Sequence, residues 1–124
     1  MTLIQSHKNR KKIIDLTILD ADDAAIVPGS NDVVRVKIGR RGKTPILDID
    51  SVAATANAST VTKNSPSSGK NRLEITRADM DLFQPGIYTL ELAFVDNADS
   101  QEIKHVDHQV FAVQKTMTGD VGIT

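Results

Sequence analysis

Residues 87–95 read IYTLELAFV, and this stretch decides the fold class of the chain. Its even-numbered positions are large and apolar, namely Tyr88, Leu90, Leu92 and Phe94. The positions between them include Thr89 and Glu91. Alternation with period two is the pattern of a β-strand that buries one face and leaves the other in water. The stretch therefore predicts a strand packed against a core.

The same alternation recurs along the chain. Its predicted inward positions are Ile14, Leu16 and Ile18 in 13–19, Val34, Val36 and Ile38 in 33–38, Leu47 and Ile49 in 46–50, and Leu73 and Ile75 in 72–76. A weaker strand is predicted over 59–63 and a long last strand over 102–115. Turn sequences separate these segments at intervals of about eight to twelve residues, which is typical of an antiparallel β-sandwich.

The last strand does not keep one phase. Val106 and Val110 are even-numbered, whereas Ile103, Phe111 and Val113 are odd-numbered. Burial of both faces, contact of one face with a partner, or a β-bulge near Asp107–His108 are equally good explanations.

One short helical turn interrupts the strands. Thr76–Asp79 resembles a capping box with Asp in place of Glu, and the apolar residues that follow suit a single turn ending at Gln84–Gly86. No internal domain boundary is visible, so the sequence predicts one sandwich domain over 13–115. Residues 1–12 and 116–124 are expected to form a basic N-terminal arm and a C-terminal tail, both extended.

Composition narrows the function classes. The chain has 124 residues, 40% of them apolar and 3% aromatic, and it contains no cysteine. Thiol catalysis, thiolate metal sites and disulfides are therefore excluded. No apolar run reaches the roughly 20 residues that span a bilayer, and the N-terminus is unlike a signal peptide, so we expect synthesis in a cytosol and no membrane contact.

Positive charge is concentrated in two places. Residues 1–12 carry +4, from Lys8, Arg10, Lys11 and Lys12, which leaves −5 on the remainder of a chain with net charge −1. A predicted hairpin tip carries Arg40, Arg41 and Lys43. Each cluster is either a solvated segment or a contact for an acidic protein neighbour; nucleic-acid binding is disfavoured because no aromatic residues are interleaved.

Three polar clusters are candidates for a metal or catalytic site. In a strand, His105 and Asp107 point one way and His108 the other, so they do not converge on a metal ion. The acidic segment 20–23 lacks the glycine and glutamate of a calcium loop and is predicted to be a turn. Asp48 and Asp50 are predicted to lie on a solvated strand face. We therefore expect no enzyme activity, no cofactor and no metal.

Several segments together resemble a known family. They are Asp15–Asp20 with the acidic turn after it, the strand Val33–Ile38, and Leu73–Thr76 leading to Pro85–Leu92. This order is similar to the small immunoglobulin-like β-sandwich domains of tailed-phage virions, found in baseplate upper proteins and in head decoration, or cement, proteins. The step Gly86-Ile87-Tyr88 looks like the tyrosine that opens a late strand in immunoglobulin-like sandwiches. The likeness covers about 13–115, without the cysteine pair or core tryptophan of antibody domains.

The resemblance implies a virion structural protein, made in the host cytoplasm, that stabilises the head shell by binding the major capsid protein or other virion proteins. It also implies a homo-oligomer. The contacts would be Lys8, Arg10, Lys11, Lys12, Arg40, Arg41, Lys43 and the C-terminal tail. A tail or baseplate component is one alternative. A carbohydrate- or receptor-binding module is another, and it would need exposed aromatic side chains.

Overall fold

The structure, a computed structural model, describes residues 3–96 and 102–115. Within these ranges the elements are β1 Leu3–His7, β2 Lys12–Leu16, β3 Asp32–Gly39, β4 Leu47–Asp50, β5 Thr60–Thr62, β6 Asn71–Ile75, α1 Arg77–Met80, β7 Gly86–Asp96 and β8 Glu102–Gln114. The predicted tail 116–124 and the turn residues 97–101 lie outside the described residues. No helix in the described part of the chain is long and apolar enough to cross a membrane.

The strands form two sheets that pack face to face. One sheet has five strands in the order β1-β8-β7-β3-β4, and the other has three in the order β2-β6-β5. Every pairing is antiparallel except that of β1 with β8. The core is filled from both sheets by aliphatic and aromatic side chains. The prediction of an all-β sandwich with one helical turn is confirmed.

The predicted strand phases are confirmed throughout the core. Val34, Val36 and Ile38 of β3 are completely buried, and the inward positions of β4, β6 and β7 are equally inaccessible. Ile14 of β2 is partly buried and packs against the cluster. Alternation was reliable here because both central strands bury one face along their full length.

A β-bulge in β8 accounts for the phase of Ile103, but it is not at the predicted position; Val106 and Val110 face outward and Phe111 and Val113 inward without a further shift. His105 lies opposite Phe94 and Ile103 lies opposite Val95, which leaves Lys104 as the extra residue. The expectation of a bulge near Asp107–His108 is therefore wrong. Because the bulge shifts the phase by one, Ile103 and Val106 share the outer face despite their different parity. The bulge also lets the Lys104 Nζ reach the Asp32 Oδ1 at 3.0 Å.

The N-terminal segment is part of the sandwich. Leu3–His7 forms β1 and pairs in parallel with β8, and Ile4 is only 4% exposed. Ser6 is also buried, and its hydroxyl donates to the carbonyl oxygen of Ala112 at 2.8 Å. The expected extended basic arm over residues 1–12 is therefore corrected for residues 3–12. A small polar residue at an inward position concealed the alternation, because its hydroxyl is satisfied by the neighbouring strand.

The helical turn forms where it was predicted, with only half of the capping box. Thr76 caps α1, and its hydroxyl accepts a hydrogen bond from the Asp79 backbone N–H at 3.3 Å. The Asp79 carboxylate does not reach back to the cap. It accepts instead from Thr55 Oγ1 at 2.7 Å and Asn57 Nδ2 at 2.8 Å. Asp79 thereby fixes the connection between β4 and β5 to the end of the sandwich.

Tyr88 closes the corner between α1 and β7. Its hydroxyl donates to the carbonyl oxygen of Gln84 at 2.6 Å, and its ring meets the Phe83 ring edge-on with centroids 5.1 Å apart. A tyrosine bonded to the backbone at this corner is a feature that immunoglobulin-like sandwiches share. The immunoglobulin-like subclass itself stays a prediction.

Candidate protein-binding surface

The outer face of the five-stranded sheet is turned away from the core, and strand register fixes which side chains it carries. Cross-strand neighbours form rows: Val110, Thr89 and Gly39; His108, Glu91, Lys37 and Asp48; Val106, Ala93, Arg35 and Asp50; Ile103, Val95 and Val33. The row of His108, Glu91, Lys37 and Asp48 contains no aliphatic residue, whereas the rows on either side of it do; we call it the charged row.

A basic concavity lies on this face beside the β3–β4 connection. It has a volume of about 460 Å³ and is lined by Lys37, Arg40, Arg41 and Lys43 together with Glu91 and His108. Among its described lining residues Glu91 is the only carboxylate, and His108 Nε2 lies 3.2 Å from its Oε1. Four cations against one carboxylate make the concavity attractive to an acidic protein surface.

The concavity owes its shape to small residues. Gly39 and Thr89 are cross-strand partners that line the concavity, and neither carries a long side chain. A Cβ atom on Gly39 would lie 2.9 Å from the Cα of Pro45, closer than real contacts allow. The β3–β4 connection can therefore fold over the sheet face only because residue 39 is glycine.

Arg40 is held in place by the core tyrosine. Its guanidinium carbon lies 5.0 Å from the centroid of the Tyr88 ring, within cation–π distance. The Lys43 N–H donates to the Arg40 carbonyl oxygen at 3.0 Å and closes the turn, with Gly42 at φ 78°. The three predicted tip residues thus converge in the concavity. Sequence reasoning missed Lys37, whose outward position on β3 was predicted but whose neighbours depend on tertiary register.

The predicted cations of the N-terminal segment lie elsewhere. The lysines bond within the domain: Lys8 Nζ to the carbonyl oxygens of Asp81 and Phe83 at 2.6 and 3.0 Å, Lys11 Nζ to Glu74 Oε1 at 2.6 Å, and Lys12 Nζ to the Gln5 carbonyl oxygen at 2.7 Å. Arg10 is exposed on the same turn. These side chains hold the β1–β2 turn to the sandwich and do not line the concavity.

Exposed aliphatic side chains surround the charged row. Leu3, Ile87, Ile103 and Val106 are 55%, 64%, 60% and 46% exposed. We call these four residues the aliphatic rim. Sequence reasoning did not assign them to one face, because the Lys104 bulge and the β1–β8 pairing are invisible without the fold. Apolar side chains gathered on one face, with charge between them, are typical of a protein-binding surface.

The remaining polar clusters take structural positions. The His105 ring meets the Phe94 ring edge-on at 6.1 Å, while His108 lies on the outer face. The Arg35 guanidinium holds Asp48 with two contacts of 3.1 and 3.2 Å. In the described ranges no three His, Asp or Glu side chains are grouped as a metal would need.

Comparison with known proteins gives no relative. No protein-family profile matches the chain, and no curated protein is significantly similar to it.

Proposed function

We propose that the chain is a virion structural protein, a head decoration protein that stabilises the capsid shell through protein–protein contacts made by the outer face of its five-stranded sheet. The aliphatic rim would bind the shell protein. The basic concavity would bind an acidic surface of a neighbouring chain in the particle. This mechanism requires shape, charge and buried area, and it requires no reacting group.

The proposal depends mainly on one observation, the combination of rim and concavity on a single sheet face. Exposed aliphatic residues supply the area that a stable interface buries, and the cations restrict which partners fit. The proposed location in a virion comes from the resemblance of the sequence to the sandwich domains of phage virions. The tyrosine corner at Tyr88 agrees with that resemblance.

The aromatic residues argue against the carbohydrate-binding alternative. All four of them, Phe83, Tyr88, Phe94 and Phe111, are at most 3% exposed. A sugar-binding module ordinarily stacks the sugar on an exposed aromatic ring. The tail or baseplate alternative uses the same kind of contact and differs only in location.

Labelling of intact particles tests the location. An antibody raised against the purified chain, with gold detection in the electron microscope, is applied to virions of the virus whose genome encodes it. The proposal expects gold on the heads. Gold on the tails would support the baseplate alternative, and virions without the chain would overturn the proposal.

A binding experiment tests the surface. Particles lacking the chain are mixed with the purified protein and sedimented. The pair Ile103→Lys and Val106→Lys should lower binding about tenfold or more, because it places two unpaired charges in an apolar contact. Ile13→Lys is the control, since Ile13 is 49% exposed and lies on the outer face of the three-stranded sheet, opposite Glu74 of β6. Equal loss in both variants would contradict a role for the rim.

A further inference from the structure

The two ends of the sandwich differ in charge. Strand β3 ends at Gly39, where the basic concavity begins, and this end also holds the cationic β1–β2 turn. Strand β3 begins at Asp32, at the opposite end, and the connection that leads into it from β2 carries Asp20, Asp22 and Asp23. Asp96 and Glu102, the last residue of β7 and the first of β8, lie at this end too. Lys104, paired with Asp32, and Lys63, which donates to the Asp32 carbonyl oxygen, lie there as well, so this end is mixed in charge whereas the concavity is mainly basic.

The β2–β3 connection contains a preformed turn, which we call the acidic turn, residues 20–24. One carboxylate oxygen of Asp20 accepts from the backbone N–H groups of Asp22 and Ala24 at 2.8 and 3.0 Å. The Asp20 N–H donates to the Ala24 carbonyl oxygen at 2.9 Å. The side chains of Asp22 and Asp23 remain exposed at the tip. A turn that is already closed loses little conformational freedom when it binds.

We propose that the acidic turn of one copy binds the basic concavity of a second copy. The turn lies in the β2–β3 connection, before β3 begins, whereas the concavity is lined by Lys37 and the β3–β4 connection at the other end of that strand. Each copy offers both surfaces, and the contact is therefore heterologous and joins copies head to tail into a ring or a row. This inference rests on the proposed function only in treating the concavity as a protein-binding site, and it identifies the neighbouring acidic surface as that of another copy.

The chemistry predicts a weak and salt-sensitive association. The side chains of Arg41, Lys43, Asp22 and Asp23 are all exposed, so water and ions screen each pair. The Debye length falls from about 20 Å at low salt to about 4 Å near 0.5 M salt. Multiple copies held on one particle surface would strengthen such a contact through their high local concentration.

Sedimentation velocity of the purified chain tests the contact directly. The expected result is a mass that rises with protein concentration at low salt and returns to that of the monomer near 0.5 M salt. Arg41→Glu with Lys43→Glu should weaken the association about tenfold or more; so should Asp22→Asn with Asp23→Asn. Asparagine is chosen because residue 23 has φ 61°, which asparagine tolerates.

A mixture of the two variants gives the sharpest result. The first retains the acidic turn and the second retains the concavity, so an equimolar mixture has one working contact and should stop at a 1:1 dimer. Arg77→Glu with Lys115→Glu is the matched control, because it makes the same charge change with exposed residues that do not line the concavity. Thermal melting of each variant shows that it is folded.

Two outcomes would overturn the inference. One is a wild-type chain that stays monomeric at every concentration and salt; the other is an association that the concavity variant and its control weaken equally. Neither outcome bears on whether gold labels the virion head. Conversely, unlabelled virions would reject the proposed function and leave a measured head-to-tail association standing.

Discussion

The two faces of strand β7 differ in solvent exposure, although their residues alternate along one strand. On the inner face Tyr88, Leu90, Leu92 and Phe94 are at most 3% exposed. On the outer face Ile87 is 64% exposed, Ala93 is 2% exposed and a charged Glu91 lies between them. The inner side chains are covered by a second sheet. The outer ones are covered only by neighbouring side chains, so their exposure varies along the strand: Ala93 and Val95 are hidden, whereas Ile87 and Thr89 remain exposed.

This difference separates what stabilises the fold from what is available to a partner. Inner residues remove whole side chains from water, and each contributes on the order of 2 kcal/mol or more to the free energy of unfolding. Outer residues such as Ile87 and Ile103 lose much less area in the isolated domain. Their apolar area therefore remains to be buried by another molecule, which is the property that the proposed function uses.

The largest expected effect is the loss of stability when a large side chain of the inner face is truncated. Phe94→Ala should lower the free energy of unfolding by about 3–5 kcal/mol, because it leaves a cavity in a core position that is completely buried. Ile87→Ala, on the outer face of the same strand, should change it by less than about 0.5 kcal/mol. Urea denaturation followed by circular dichroism measures both. Similar losses in the two variants would show that the outer face is covered.

A smaller effect tests the same rule at the sheet edge, where β1 pairs only with β8 in the described structure. Ile4 faces the core and is 4% exposed, whereas its neighbour Leu3 faces outward and is 55% exposed. Ile4→Ala should cost about 2 kcal/mol, and Leu3→Ala should cost less than about 0.5 kcal/mol. If Ile4→Ala left the free energy of unfolding unchanged in the same experiment, the N-terminal segment would be an extended arm, as the sequence predicted.

The sequence predicts the inner face better than any other part of the molecule. Period-two alternation identifies strands wherever a second sheet covers one face, as along β3 and β7. It fails at Ser6, where a buried hydroxyl replaces an apolar residue, and at Lys104, where one extra residue reverses the phase. Both exceptions are satisfied by long-range partners, Ala112 and Asp32, that no local pattern reveals.

The candidate surface could be predicted only in part. The basic tip at Arg40–Lys43 is visible as a charge cluster, because a short turn keeps its residues together. Lys37 and His108 join it only through the pairing of β3, β7 and β8. The aliphatic rim draws on β1, β7 and β8, which are distant in sequence. A surface assembled across strands requires register, and register is a property of the whole sheet.

The smallest expected effect concerns Asp79, a buried carboxylate, whereas most other buried residues are apolar. Asp79 is 2% exposed, and burial, the largest influence, raises the pKa of its carboxyl. Hydrogen bonds from Ser59, Asn57 and Thr55 together outweigh burial and hold the pKa below its ordinary value of 3.8. Asp79→Asn should therefore cost about 1 kcal/mol at neutral pH, because the amide keeps the shape but loses the charge-assisted bonds.

The pH dependence of this cost has a defined sign. Since the pKa is lower in the folded state than in the unfolded state, the charged Asp79 stabilises the fold fully above the unfolded value near 3.8. That stabilisation is lost as the pH falls below 3.8 and through the lower folded pKa. The gap in melting temperature between wild type and Asp79→Asn should thus be constant from pH 7 to about pH 5 and close at lower pH. The exposed Asp22→Asn serves as the control, and a gap that widens in acid would mean that burial, not the donors, controls the carboxyl.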